Sequence, residues 1–219
     1  MEDEIMTMFP RMVELVAVAD KGIASIRHIA IGEPIPSVAS RLGDRFQPSP
    51  PGDYALLLVR NNSGEPEMMM SDLAYERATS VEVVRRAHGD ILIAGLGLGM
   101  ILHPILRKVS VCRVTVIEKF QDVIDLILPT LPKTDNLAVI AGDIFDWKPE
   151  PSSQYDIIWF DIWPDIGPKR VAEMTLLHRR FANYLNRANP NHWMQSWHFH
   201  EAKRIRSAAR LAGDRIRNF

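Results

Sequence analysis

Hydrophobic and polar positions divide the chain into two rhythms. Up to about residue 85 the apolar runs are short and β-prone: Leu15-Val-Ala-Val-Ala19, Ser25-Ile-Arg-His-Ile-Ala-Ile31 and Tyr54-Ala-Leu-Leu-Leu-Val59. They are punctuated by Asp20-Lys-Gly22 and Asn61-Asn-Ser-Gly64, residues that tolerate the positive φ of tight turns. Asn62-Ser-Gly64 between Leu56–Val59 and Met68–Met70 predicts a hairpin, and Gln47-Pro-Ser-Pro-Pro-Gly52 predicts a loop, because its prolines cannot donate to a ladder. Residues 1–85 are therefore read as a β-hairpin region. From Asp90 the rhythm becomes strand, helix, strand. Ile91–Gly95, Val109–Ile117, Leu137–Ala141 and Tyr155–Phe160 lack polar alternation, as strands covered on both faces do. Helices are predicted over Met100–Lys108, Gln121–Leu128 and Pro168–Arg187; the last carries Val171, Met174, Leu177, Phe181 and Leu185 on one stripe. The predicted fold class is α/β: a Rossmann-like, doubly wound, mostly parallel sheet over residues 86–219 behind an N-terminal β-rich appendage, residues 1–85.

After Arg187 little chain is left before Phe219. His192–His200 supplies a fifth strand and Glu201–Arg217 a helix, so the sheet is expected to be truncated at its C-terminal side, and an unpaired edge favours a homodimer. On that strand His198 and His200 share a face, but with no carboxylate or cysteine partner in view no metal site is expected. The segment from Glu201 onward has six basic and two acidic residues; a solvated helix face around Ile205, Ala208 and Ala212 accounts for it better than a nucleic-acid patch.

Composition narrows the classes. With 26 Lys+Arg against 27 Asp+Glu, no whole-molecule field attracts nucleic acid or an anionic membrane. One cysteine, Cys112, excludes an intrachain disulfide framework and a cysteine-built zinc site. The acidic start, Met1-Glu-Asp-Glu4, is unlike a signal peptide, and the uncharged run Ile91–Leu106 is broken by three glycines and a proline, so no membrane span is expected. These features describe a soluble cytoplasmic protein.

The chemistry gathers at strand ends. The first parallel strand enters Gly95-Leu96-Gly97-Leu98-Gly99 and then a helix, a context in which missing side chains let a ligand approach the backbone. The second ends in Glu118, one helix and one strand beyond Gly99, where a carboxylate can accept from two ribose hydroxyls or stand as a solvated strand end. The third ends in Ala141-Gly142-Asp143, with Asp143 either over the same crevice or N-capping a helix from Ile144 onward. The fourth ends in Phe160-Asp161-Ile-Trp-Pro-Asp165. Open α/β sheets bind ligands at this edge.

The order of glycine turn, acid, Gly-Asp and acid resembles the class I S-adenosylmethionine-dependent methyltransferases, and within them the spermidine synthase-like branch, over about residues 68–181. That resemblance implies S-adenosylmethionine or its decarboxylated form as cofactor. By position, Gly95, Gly97 and Gly99 would pass the methionine part, Glu118 would bind ribose and Asp143 with Ile144 would frame adenine. Leu96 and Lys119 complete the implied cofactor-binding set, and Asp161 is the implied catalytic acid. Asp72-Leu-Ala-Tyr75-Glu76 is similar to the Asp-Glu…Tyr-His-Glu helix of the aminopropyltransferases, without its histidine. The turn reads Gly-Leu-Gly-Leu-Gly where true synthases have Gly-Gly-Gly-Asp-Gly, and Met100 stands where a dinucleotide fingerprint has a third small residue. Methyl transfer to a small nucleophile is the leading implication. Aminopropyl transfer and a non-catalytic nucleotide-binding or assembly module are the alternatives, a nicotinamide enzyme the third.

Overall fold

A computed structural model describes residues 7–32, 49–165, 167 and 169–217, with side chains placed through residue 208. Strands β1 (Ala19–Lys21), β2 (Ala24–Ile31), β3 (Gly52–Arg60) and β4 (Pro66–Ser71) form an antiparallel sheet in that order. The β3–β4 hairpin turns at Asn61–Gly64 as its sequence predicts, with Gly64 at φ 82°. The expected strand at Leu15–Ala19 does not form: the chain makes a 3-10 turn at Met12–Glu14 and enters β1 only at Ala19. Gly22, at φ 51°, then turns the chain into β2. Of the predicted proline-rich loop, Gln47 and Pro48 lie outside the described residues, as does Pro168.

Helix α1 (Ala74–Arg86) leads to β5 (Gly89–Ala94), α2 (Leu102–Ile105), β6 (Val111–Glu118), α3 (Gln121–Ile127), β7 (Leu137–Ala141), β8 (Ile157–Phe160), α4 (Arg170–Phe181), β9 (Trp193–Ser196) and α5 (Phe199–Arg217). The five later strands are all parallel, in the order β7-β6-β5-β8-β9. The predicted helix over Met100–Lys108 shrinks to one turn around Pro104, whose ring cannot sit deep in a helix. The one over Pro168–Arg187 stops at Phe181 and tightens into a 3-10 turn. Among the described residues no strand follows β9.

Alternate residues face alternate cores. Ile91, Ile93, Val114, Val116, Ile157 and Trp159 pack with α1, α2, α3 and the antiparallel sheet; Leu92, Ala94, Ile158 and Phe160 pack under α4. Both faces are thus covered, which explains the uninterrupted apolar strands. The expected boundary after residue 85 falls in the last turn of α1, whose Val81, Val83 and Val84 share a core with Ile26 and Leu57 of the first sheet. No helix among the described residues is long and apolar enough to cross a membrane.

A buried ion pair ties the N-terminal segment to this frame. The Asp72 carboxylate accepts from Met12 N at 2.9 Å, Ala55 N at 2.7 Å and Arg77 Nη2 at 2.9 Å. The Arg77 guanidinium also donates to the carbonyls of Phe9, Pro10 and Asp72. Asp72, first residue of the motif before the glycine turn, is therefore committed to the fold.

Candidate active site

The carboxyl ends of β5, β6, β7 and β8 open into a cavity of about 550 Å³, roofed by the antiparallel sheet and α1. Of the residues singled out from sequence, Gly95, Leu96, Gly97, Glu118, Lys119, Asp143, Ile144 and Asp161 all line it. Gly99 does not; a Cβ there would press on Ile127 and Leu131.

The glycine turn is held from within the chain. Gly95, Gly97 and Gly99 have φ of 96°, 54° and 73°, conformations that disfavour any side chain. A Cβ on Gly95 would collide with the Asp161 carbonyl, and one on Gly97 with the Met70 sulfur. The amides are also engaged: Gly95 N donates to Ile117 O, Gly99 N to Leu96 O, Leu96 N to Glu118 Oε2 at 2.8 Å, and Leu98 N to Met70 Sδ at 3.2 Å. Met70, on β4, thereby plugs the turn with a residue of the first sheet.

Glu118 is buried, and its second oxygen accepts from Phe120 N at 2.9 Å. Burial raises its pKa; the backbone donors pull it back. The Leu96, Phe120 and Lys119 amides thus serve its two oxygens, which together keep lone-pair capacity for a further donor. Lys119 Nζ meets Asp143 Oδ2 at 2.9 Å, joining the ends of β6 and β7, while Asp143 Oδ1 accepts from Phe145 N at 3.0 Å. No helix starts at Ile144, so the expected N-cap does not form; Asp143 instead closes a turn through Phe145 N and lines the cavity.

At the end of β8 Asp161 faces Glu76 of α1, and both carboxyls line the cavity. Burial, then the charge of Asp161, pushes Glu76 up to about 8. Burial pushes Asp161 up to about 6, opposed by the nearby Trp159 indole. The Trp159 Nε1 is buried and, among the described residues, has no acceptor at hydrogen-bond distance. Two carboxyl groups with separated pKa values share roughly one proton near neutrality, so one can donate while the other accepts.

Trp163 and Trp197 wall this end. Trp163 Nε1 donates to Glu173 Oε2 at 2.7 Å, and Arg170 is paired to both Asp165 and Glu173. The cavity carries Glu76, Glu118, Asp143, Asp161 and Glu173 against Lys119 and Arg170, each cation already held by a carboxylate. That excess of negative charge suits a cationic ligand.

The C-terminal histidines are placed differently from the sequence expectation. β9 ends at Ser196, so His198 and His200 share no strand face: His200 lies in α5 and bonds Gln195, and His198 turns the chain into α5 at φ 52°. The His198 Nε2 meets Tyr75 Oη at 2.7 Å and its Nδ1 meets Glu201. Among the described residues no group of three or more His, Cys, Asp or Glu could hold a metal ion. Sequence reasoning missed Met70, Trp197 and the pairing of Glu76 with Asp161. Glu76 stood in a quoted motif, but only the sheet edge brings it to Asp161, which lies four strands further along the chain.

No protein-family model matches the chain, and no curated protein matches it. Solved structures with partial likeness include the N-methyltransferase NodS from Bradyrhizobium japonicum WM9 in complex with S-adenosyl-L-homocysteine. It is 18% identical, covering 40% of this chain and 45% of that one, with a TM-score of 0.36. A putative SAM-dependent methyltransferase from Streptococcus mutans is 14% identical over 60% of this chain and 36% of that one, TM-score 0.42. The plantazolicin methyltransferase BpumL in complex with SAH is 17% identical over 49% and 41%, TM-score 0.36. The chain spans less than half the length of each of these structures. Likenesses at this level leave the function to be argued from the cavity.

Proposed function

We propose that this chain is a transferase that binds S-adenosylmethionine or its decarboxylated form in the cavity and moves an alkyl group from the sulfonium to a small amine. The observation that carries the reading is the meeting, at one sheet edge, of the glycine turn, the ribose-competent Glu118 and the Glu76–Asp161 carboxyl pair around a cavity of negative charge. The volume, about 550 Å³, is within the range of small-molecule and cofactor sites. Glu118 and the 143–145 turn would hold the nucleoside, Glu118 through the lone pairs its backbone bonds leave free. When bound, the cofactor supplies an activated carbon, so the protein has only to orient, exclude water and manage one proton. A bound sulfonium would give that carbon to the amine, the carbon–sulfur electron pair going to sulfur. Asp161 accepts the proton that leaves the amine, and protonated Glu76 donates a hydrogen bond beside it.

Methyl transfer from S-adenosylmethionine is the first form of this reading. One observation favours aminopropyl transfer as a second: Gly95 N, Leu96 N, Leu98 N and Gly99 N all have acceptors inside the chain, which among the described residues leaves the Gly97 N–H as the turn's one amide to meet an α-carboxylate. A donor lacking that carboxylate meets no such deficit. Calorimetry with S-adenosylmethionine, decarboxylated S-adenosylmethionine and NAD, followed by donor turnover with primary amines, tests both. Either sulfonium is expected to bind and be consumed. NAD binding alone would refute the reading, and sulfonium binding without turnover of any amine would turn it toward a binding or assembly module. A homodimer through the open β9 edge is part of the proposal and is checked by light scattering.

A further inference from the structure

The loop after β7 is not helical, yet it is held closely. Asp143 O accepts from Asp146 N at 2.9 Å and from Trp147 N at 2.8 Å, and the Asp143 carboxylate accepts from Phe145 N. Those bonds use the donors of Phe145, Asp146 and Trp147. The loop's acceptors go elsewhere: the carbonyls of Ile144, Phe145 and Trp147 converge on one guanidinium, Arg180 of α4. Nη1 takes Ile144 O, at 3.2 Å, and Phe145 O; Nη2 takes Trp147 O. Among the described residues Arg180 has no carboxylate partner, so its charge serves these carbonyls. A planar fork with five N–H donors suits three such oxygens lying side by side.

One donor of the loop is left over. Among the described residues the Ile144 N–H has no acceptor, and Ile144 and Phe145 line the cavity. That N–H belongs to the same peptide group as the Asp143 carbonyl, which accepts two hydrogen bonds, and a carbonyl so loaded polarises its own N–H into a better donor. Resting on the nucleoside reading above, we infer that Arg180 is a positioning residue that sets which purine the cavity takes. By fixing the 144–147 carbonyls on one side of the loop, it holds the Ile144 N–H on the other, where it meets an unprotonated ring nitrogen. Adenine offers such a nitrogen on its base-pairing edge. Hypoxanthine carries a proton at the same place and would set donor against donor.

The test compares S-adenosylhomocysteine with its deaminated analogue, S-inosylhomocysteine, by calorimetry on the full chain and on Arg180→Met and Arg180→Gln. Wild type is expected to prefer the adenine compound by about tenfold or more, the usual effect of one unmatched donor. Arg180→Met is expected to weaken S-adenosylhomocysteine by at least that factor and to erase most of the preference. Arg180→Gln, which keeps two donors, should restore part of it and serves if the methionine variant does not fold. A merely structural arginine would weaken both compounds equally and leave their ratio intact, and that result, or unchanged binding, overturns the inference. Failure of wild type to bind either compound overturns the nucleoside reading itself and this inference with it. Binding of both without preference overturns the inference alone.

Discussion

The carboxyl pair makes stability depend on pH in a direction opposite to that of most acids. In an unfolded chain Glu76 titrates near 4.5 and Asp161 near 3.8; in the folded protein they rise to about 8 and about 6. The folded state therefore keeps protons that the unfolded state has already released. Stability must fall as pH climbs from about 4 to about 8, fully present below the unfolded values and lost as the folded values are approached. Taken alone, the displacement of Glu76 corresponds to about 5 kcal/mol at about 1.4 kcal/mol per pH unit. Part of that range lies below pH 5 and water can enter the cavity, so about 2–3 kcal/mol between pH 5 and 8 is the expected net loss. The perturbation is Glu76→Gln, which keeps the shape and cannot ionise. Urea unfolding at pH 5, 6, 7 and 8 should show the wild type losing that amount, and the variant losing only about 1 kcal/mol, the part of the Asp161 titration above pH 5, because burial is what raises that group. His103, His178 and His198, all lowered chiefly by burial, give an opposite slope below about pH 6.5, but they are common to both proteins and cancel in the difference. Parallel curves for the two proteins would show that Glu76 and Asp161 are not coupled and would sink the acid–base assignment.

Asp161→Asn keeps the shape and should leave cofactor affinity nearly unchanged while cutting turnover by about a hundredfold or more; full turnover removes Asp161 from the chemistry. Gly97→Val forces a branched residue into φ 54° against Met70, so melting temperature and ligand binding should fall together. A folded, fully stable variant that merely loses binding would show that Gly97 serves the ligand alone. Asp72→Asn leaves the Arg77 cation buried without its charge partner and should cost about 3–5 kcal/mol in urea unfolding, a loss below about 1 kcal/mol refuting the tie. Glu118→Ala strands the amides of Leu96 and Phe120 and should cost about 2–4 kcal/mol, read as a melting point lower by roughly 10 °C. An unshifted melting point would mean that the two bonds carry no net stability.

The parallel sheet was legible because strands covered on both faces have no polar positions, and the turns between them are spelled in glycine and acid. Leu137–Ala141 stands as a strand at the predicted residues, and Gln121–Leu128 as a helix but for its last residue, because each pattern is long relative to its element. Leu15–Ala19 misled because its apolar residues serve a different surface: Val16 is buried against the core while Leu15 and Val18 are exposed, and the carbonyl of Met12 is satisfied by a local turn. His192–His200 was read as one strand because its aromatic run has no turn residue. The break comes from His198, held in the left-handed region by Glu201 on its own helix and by Tyr75 on the distant α1. The same distance in sequence hid the meeting of Glu76 with Asp161 and the plug of Met70 on the glycine turn. Contacts between the first sheet and the second leave no periodic trace in either.

These contacts also decide how the glycine turn is to be understood. A glycine-rich turn is commonly read as a ligand cradle, but here each glycine has a reason within the fold and four amides have internal acceptors. On the proposed reading the ligand would meet the Gly97 N–H and the groups around the turn: Glu118, the Ile144 N–H, and the Glu76–Asp161 pair. A site arranged as proposed would recognise its ligand by ribose, purine edge and positive charge more than by the carboxylate of an amino acid. The ratio of affinities for decarboxylated and intact S-adenosylmethionine therefore reports directly on whether the turn stays closed. Replacing Met70 with alanine frees the Leu98 amide, and should shift that ratio toward the intact compound if the plug is what excludes its carboxylate.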